Sequence, residues 1–172
     1  GGYAAAKSLS AAGHKVYVID WNRNISRYSN FIEESFCFED YVNNVDQFYE
    51  FIKNIIIKNE IEFLFPVHDA AICFILEYYN KLVEFVKLIN SDSANRQLMD
   101  KNITLNLCSK YDIKVPDSIY INSIENFLTQ SSSIQFPVIV KACRSAVLKH
   151  NRFLDFRVKK ISNLRDLEDF VR

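Results

Sequence analysis

The sequence predicts an α/β chain in which a doubly wound parallel sheet is followed by a shorter α+β lobe. Two observations carry the first part. Short apolar runs alternate with helix-periodic stretches through residue 90, and acidic or imidazole side chains stand directly after two of those runs. One observation carries the second. After Ser91-Asp92-Ser93 the chain changes character, and its strongest strand, Phe136-Pro137-Val138-Ile139-Val140, closes on Lys141 and opens a basic stretch.

Taken in order, residues 3–12 are alanine-rich and helix-prone, and Gly13 stands where a helix-terminating glycine belongs. Val16-Tyr17-Val18-Ile19-Asp20 reads as a buried parallel strand ending in an acid. Gly1 and Asp20 are separated by roughly the interval between a phosphate-binding glycine loop and its ribose-binding acid. Asp20 reads either that way or as a cap for the loop that follows. A glycine pair of this kind normally follows a strand, so the first strand of the sheet is expected upstream of Gly1, and the last helix is expected to run past Arg172. Ser35 to Phe38 is a short strand candidate. Asp46 to Lys58 is an amphipathic helix with Phe48, Phe51, Ile52, Ile55 and Ile56 on one face. Glu62 to Pro66 is another buried strand, followed at once by Val67-His68-Asp69 and a helix from Ala70 to Tyr79. Asp69 is expected to cap that helix. His68 reads as a loop hydrogen-bonder or as a substrate contact. Phe85 to Ile89 closes the first sheet.

In the second part, Asp100-Lys101 leads into a helix through Lys110, and Tyr111 to Pro116 is a turn. Ser118 to Ile121 is expected as an edge strand. Ser123 caps a helix to about Thr129, and Ser131-Ser132-Ser133 is a surface loop. Val138 to Val140 is expected in a buried sheet. From Lys141 to Lys160 the basic residues are Lys141, Arg144, Lys149, Arg152, Arg157, Lys159 and Lys160, opposed only by Asp155. They read as a lobe for a polyanionic ligand such as a nucleoside triphosphate, or as a solvated hairpin face. Ser162 or Asn163 opens a final helix.

Composition narrows the classes. Lysine plus arginine equals aspartate plus glutamate, at 21 each, so no bulk charge draws the chain to nucleic acid or to a membrane. No apolar run approaches the length of a membrane-spanning helix. The four cysteines, Cys37, Cys73, Cys108 and Cys143, are far apart and form no C-x-x-C pair. They read as free thiols in a reducing compartment, hence a cytoplasmic protein.

Asp100-Lys101, Tyr111-Asp112-Ile113-Lys114-Val115-Pro116 and Phe136-Pro137-Val138-Ile139-Val140-Lys141, in that order, resemble the N-terminal half of an ATP-grasp domain. Residues 1–90 resemble the Rossmann-like pre-ATP-grasp domain of the same superfamily, which leaves residues 91–172 as the truncated ATP-grasp part. Ser26-Arg27-Tyr28-Ser29 and Pro66-Val67-His68-Asp69 resemble the carbamoyl-phosphate-synthase-like carboxylate–amine ligases. The resemblance implies ATP and Mg²⁺ as cofactors, and a carboxylate activated as an acyl phosphate for attack by an amine. It places Lys101 and Lys141 on the nucleotide phosphates, with Arg144 and Ser145 in the loop that covers them. Asp20, Arg27, His68 and Asp69 fall on the substrate side, at strand ends where ligands of such sheets gather. The chain departs from the family at Ala142, where proline is common, and at Cys143-Arg144-Ser145-Ala146, where glycines are usual. The family's Mg²⁺-holding acids lie downstream of residue 172, so no metal ligand is expected in this chain, and alone it is expected to lack turnover. The alternative is a Rossmann-like module that holds a nucleotide or sugar without reaction.

Overall fold

The computed structural model describes residues 2–20, 28–89 and 92–171. It is a mixed α/β chain of two compact units. One comprises residues 1–95 together with 146–154; the other comprises 96–145 and 155–172.

The first unit begins with α1 (Gly2–Ala11). The Gly13 N–H donates to Ser10 O (2.9 Å) and the His14 N–H to Leu9 O (3.2 Å), with Gly13 at φ +87°. This is the Schellman ending that a glycine at C′ permits. The chain then forms β1 (Tyr17–Asp20), which pairs in parallel with β2 (Glu34–Cys37). α2 (Val45–Lys58) buries Val45, Tyr49, Ile52, Ile55 and Ile56, so the predicted apolar face turns inward with Tyr49 added; Phe48 and Phe51 pack partly buried against the core. β3 (Phe63–Leu64) pairs in parallel with β4 (Lys87–Leu88), and between them run α3 (Asp69–Glu77) and α4 (Tyr79–Leu82). Glu62 to Pro66 is therefore shorter than the strand predicted, and less buried: Phe63 is 57% exposed. Among the described residues β3 is a two-residue ladder with a strand on one side only, which leaves Phe63 uncovered.

One core joins these elements. Val45, Tyr49, Ile52, Ile56, Phe74, Ile75, Tyr78, Leu82 and Val86 form its centre, with Ile19, Leu64 and Leu88 of the strands packed against it. A hairpin of β6 (Ala146–Lys149) and β7 (Arg152–Asp155) adds Phe153 to the same core. Its turn residues His150 and Asn151 both have positive φ, the geometry that matches the twist of two-residue hairpins.

The boundary between the units falls within α5 (Asp92–Met99). The second unit continues with α6 (Lys101–Lys110) and α7 (Ile124–Gln130), the latter capped by Ser123 Oγ, which accepts from the Asn126 N–H (3.1 Å). Residues 113–122 between them carry no strand, so the expected edge strand at 118–121 does not form: among the described residues no strand pairs with it, and Ser118 Oγ donates locally to Pro116 O (2.9 Å). β5 (Val138–Val140) pairs antiparallel with β8 (Lys159–Ile161) in a two-stranded sheet. Val138 and Val140 face a small core of Phe127, Ile161 and Leu167, while Ile139 is 53% exposed. The buried sheet expected around this strand is thus buried on one face only. Asn163 caps α8 (Leu164–Val171), its Oδ1 accepting from the Asp166 N–H (2.9 Å).

Candidate functional site

The site is built where α6 begins. Asp100 takes the extended backbone of an N-cap, and its Oδ1 accepts from the N–H groups of Asn102 (3.1 Å) and Ile103 (3.3 Å). Lys101 is then the first helical residue. Its N–H donates to Cys143 O (2.9 Å), which ties the start of α6 to the loop after β5. Its ammonium donates to Ser145 Oγ (2.8 Å), with Cys143 O at 3.4 Å. Arg144, between those two loop residues, places its Nε 3.4 Å from Asp100 Oδ2.

The structure therefore brings Lys101, Arg144 and Ser145 together, although Lys101 and Ser145 are 44 residues apart in sequence. Lys141, exposed, follows β5 two residues before Cys143. Chemically the cluster holds two cations against one carboxylate. The Lys101 charge rests on neutral acceptors, a hydroxyl and a carbonyl, and so keeps its capacity for an anion. Asp100 already occupies the free N–H groups of the helix start, so an anion there would be met by side chains rather than by the helix terminus. Sequence reasoning passed over Asp100 as the counter-charge to Arg144, although an aspartate just ahead of a helical run is a legible cap.

The other basic residues of 141–160 are divided. Arg152 in the hairpin gives its guanidinium to Asn43 Oδ1, at 2.8 Å from Nη2 and 3.1 Å from Nε, within the first unit. Lys159 lies over the Phe170 ring at 5.1 Å. Lys149 and Arg152 belong to the first unit, and Arg157, Lys159 and Lys160 to the second.

The substrate-side candidates lie in the first unit. Asp20 ends β1, and His68 and Asp69 follow β3. Here the cap assignment changes: His68, not Asp69, is the N-cap of α3, because its Nδ1 accepts from the Ala71 N–H (3.2 Å), while Asp69 is the first helical residue. An imidazole can serve this role only while Nδ1 is unprotonated. Burial pushes the His68 pKa down, and the carboxylates of Asp20 and Asp69 oppose that shift, so all three residues share one electrostatic neighbourhood. A cavity of about 400 Å³ opens there, lined by Ala5, Phe65, Pro66, Val67, His68, Asp69 and Ile72. Arg27 lies outside the described residues. A larger groove of about 830 Å³, with Ile57, Val83 and Phe85 in its walls, lies where β3 and β4 begin and holds none of the residues singled out.

Among the described residues no three His, Cys, Asp or Glu side chains gather as a metal site, all four cysteines are free, and no helix is long and apolar enough to cross a membrane. No protein-family model matches the chain, and no curated protein matches it.

Proposed function

We propose that residues 96–145 and 155–172 hold the phosphates of ATP, and that the chain is part of an ATP-dependent carboxylate–amine ligase of the ATP-grasp kind. The observation that carries this is the Lys101 ammonium on Ser145 Oγ at 2.8 Å, in the loop that follows Lys141. Lys101, distant in sequence, is held on the five-residue loop that Lys141 opens. The resemblance assigns both to nucleotide phosphates, and phosphoryl transfer depends on positioned positive charge more than on covalent help.

On this reading Lys101 exchanges its contact with Ser145 Oγ for a phosphate oxygen, and the hydroxyl donates to the same group. Lys141 adds charge from the end of β5. Arg144 is held by Asp100 until the nucleotide competes for it. Mg²⁺ would neutralise the phosphates when bound; the side chains that would hold it are not assigned in this chain.

Calorimetric titration with ATP is the test. Lys101→Ala and Lys141→Ala should each weaken binding by roughly 1.5–3 kcal/mol, the scale of a hydrogen bond to a charged group. Because both act on one anion, the double variant should depart from additivity. Lys53→Ala, whose ammonium lies beside Glu50 and the Phe85 ring, should change little. Unchanged affinity in a folded Lys141→Ala protein would remove the central residue of the reading. Phosphate release with ATP, Mg²⁺ and mixed amino acids tests the expectation that the chain alone lacks turnover: sustained release above a Lys141→Ala control would overturn it.

A further inference from the structure

We propose that the groove at the amino ends of β3 and β4 docks a segment of a partner protein, one that presents a large apolar side chain flanked by lysine or arginine.

The groove belongs to the first unit, between the end of α2 and the turn that leads from α4 into β4, and it encloses about 830 Å³. β3 and β4 are parallel, so their amino ends point away from His68 and Asp69, which follow the carboxyl end of β3. The surface is therefore separate from the candidate substrate side. Its floor is fixed. Ile56 and Val86 are buried, the Ile61 N–H donates to Ile56 O (3.0 Å), the Lys87 N–H to Glu62 O (2.8 Å) and the Val86 N–H to Leu82 O (3.0 Å). Its walls are not covered: Ile57 is 54% exposed, Val83 46% and Phe85 36%. Single exposed apolar side chains need no explanation, but these three line one concavity. Small-molecule pockets enclose most of their ligand. Walls that stay about half open suit a chain segment lying along the surface, with one side chain anchored in the concavity.

Charge selects the occupant. Glu60, Glu62 and Glu84 line the groove, against one ammonium, Lys87. Among the described residues none of these three carboxylates has a hydrogen bond or an ion pair. The Lys87 ammonium lies over the Phe63 ring at 5.2 Å. The other cation at the walls, Lys53, sits 5.2 Å from the centre of the Phe85 ring and is offset by Glu50 at 3.9 Å. A chain with no net charge thus gathers negative charge around exposed apolar walls. A neutral apolar segment would gain only the apolar contact. A basic one also gains steering on approach and ion pairs at the rim.

The probes are short labelled peptides, read by fluorescence anisotropy with the full chain at two salt concentrations, with sedimentation in parallel. Two peptides carry leucine or phenylalanine between Arg/Lys flanks, a third has serine in place of the anchor, and a fourth keeps leucine between glutamates. Glu60 stands in left-handed backbone (φ +52°), where glycine is less strained, so Glu60→Gly removes a charge without loosening the fold. Combined with Glu84→Gln, it gives a variant that should melt no lower than the wild type. Both anchored basic peptides should bind at least about tenfold more tightly than the other two, weaken as salt is raised, and lose at least about tenfold in the double variant. Equal binding of the serine peptide overturns the proposal, because charge alone then suffices. So does affinity that the double variant leaves unchanged, or no binding by either anchored peptide. A dimer of the free chain that dissociates in the double variant also overturns it, since a second copy would then be the occupant.

Discussion

The two units differ in how they spend their apolar residues. The first builds an aromatic interior: Phe48 packs against Phe38, Tyr41 and Phe74, Tyr49 stacks on Tyr78 at 4.7 Å, and Leu82 and Val45 are fully buried. Even its polar contacts consolidate it. The Tyr78 O–H donates to Asp46 Oδ1 (2.5 Å), and burial, reinforced by that bond, pushes the phenol well above its ordinary range. The second unit centres on three buried residues, Phe127, Ile161 and Leu167, yet it holds the cation cluster. Scaffold and charge are thus placed in different units. A small core with exposed neighbours opens at lower free energy, as segments that must accommodate a ligand do.

The largest expected effect tests that difference directly. Phe74→Ala empties the centre of the first core and should cost roughly 3–5 kcal/mol. Ile161→Ala in the second should cost about 2–4 kcal/mol, and its effect should stay local. Hydrogen exchange separates the two: Phe74→Ala should expose α2 and α3, Ile161→Ala should expose β5, β8 and α8. If either substitution releases every amide together, the units unfold as one and the contrast fails.

Much of this was legible in the sequence where local rules decide. Gly13, Ser123 and Asn163 sit at helix ends because only backbone freedom or a short acceptor is needed there, and α2 follows from its apolar spacing. What was not legible depended on partners distant in the chain. Phe63 and Ile139 read as buried because their neighbours are apolar, but burial needs a covering layer that periodicity does not name. Ser118 to Ile121 has strand composition but, among the described residues, no strand pairs with it. His68 displaced Asp69 as the cap because an imidazole nitrogen in extended backbone reached Ala71 first. The cation cluster was half legible: Lys101, Arg144 and Ser145 came from a resemblance, while the pairing of Arg144 with Asp100 and the carbonyl of Cys143 emerged only from the fold.

A smaller effect sharpens the charge argument in the second unit. Asp100→Asn keeps an N-cap of similar strength and removes the carboxylate facing Arg144. If the cluster binds phosphate, ATP affinity should rise by roughly 0.5–1 kcal/mol, the worth of a partly exposed ion pair, and the gain should shrink as salt is raised. Calorimetry at two salt concentrations reads both. A loss of affinity in the folded variant would mean that Asp100 positions the anion's partners rather than competing with it.

The smallest effect concerns the first unit and pH. His68 is neutral in the fold, because its Nδ1 is an acceptor and burial lowers its pKa. In the unfolded chain it titrates near the ordinary value, about 6.5. Above that value the imidazole is neutral in both states and pH has no leverage. Below it the unfolded chain takes a proton that the folded chain resists, so stability falls as the solution is acidified and the loss ends at the folded pKa. Asp20 and Asp69 draw the proton back toward the folded state and so limit the loss. Asn caps helices as well as any residue and does not titrate. Relative to His68→Asn, the wild-type chain should therefore lose stability, read from the melting temperature, as pH falls below about 6.5, by less than about 1 kcal/mol for a half-buried, screened group. His14 and His150 are common to both proteins and cancel. A difference between the two chains that stays flat with pH would show that the Ala71 N–H does not depend on this imidazole, and the cap would have to be reassigned.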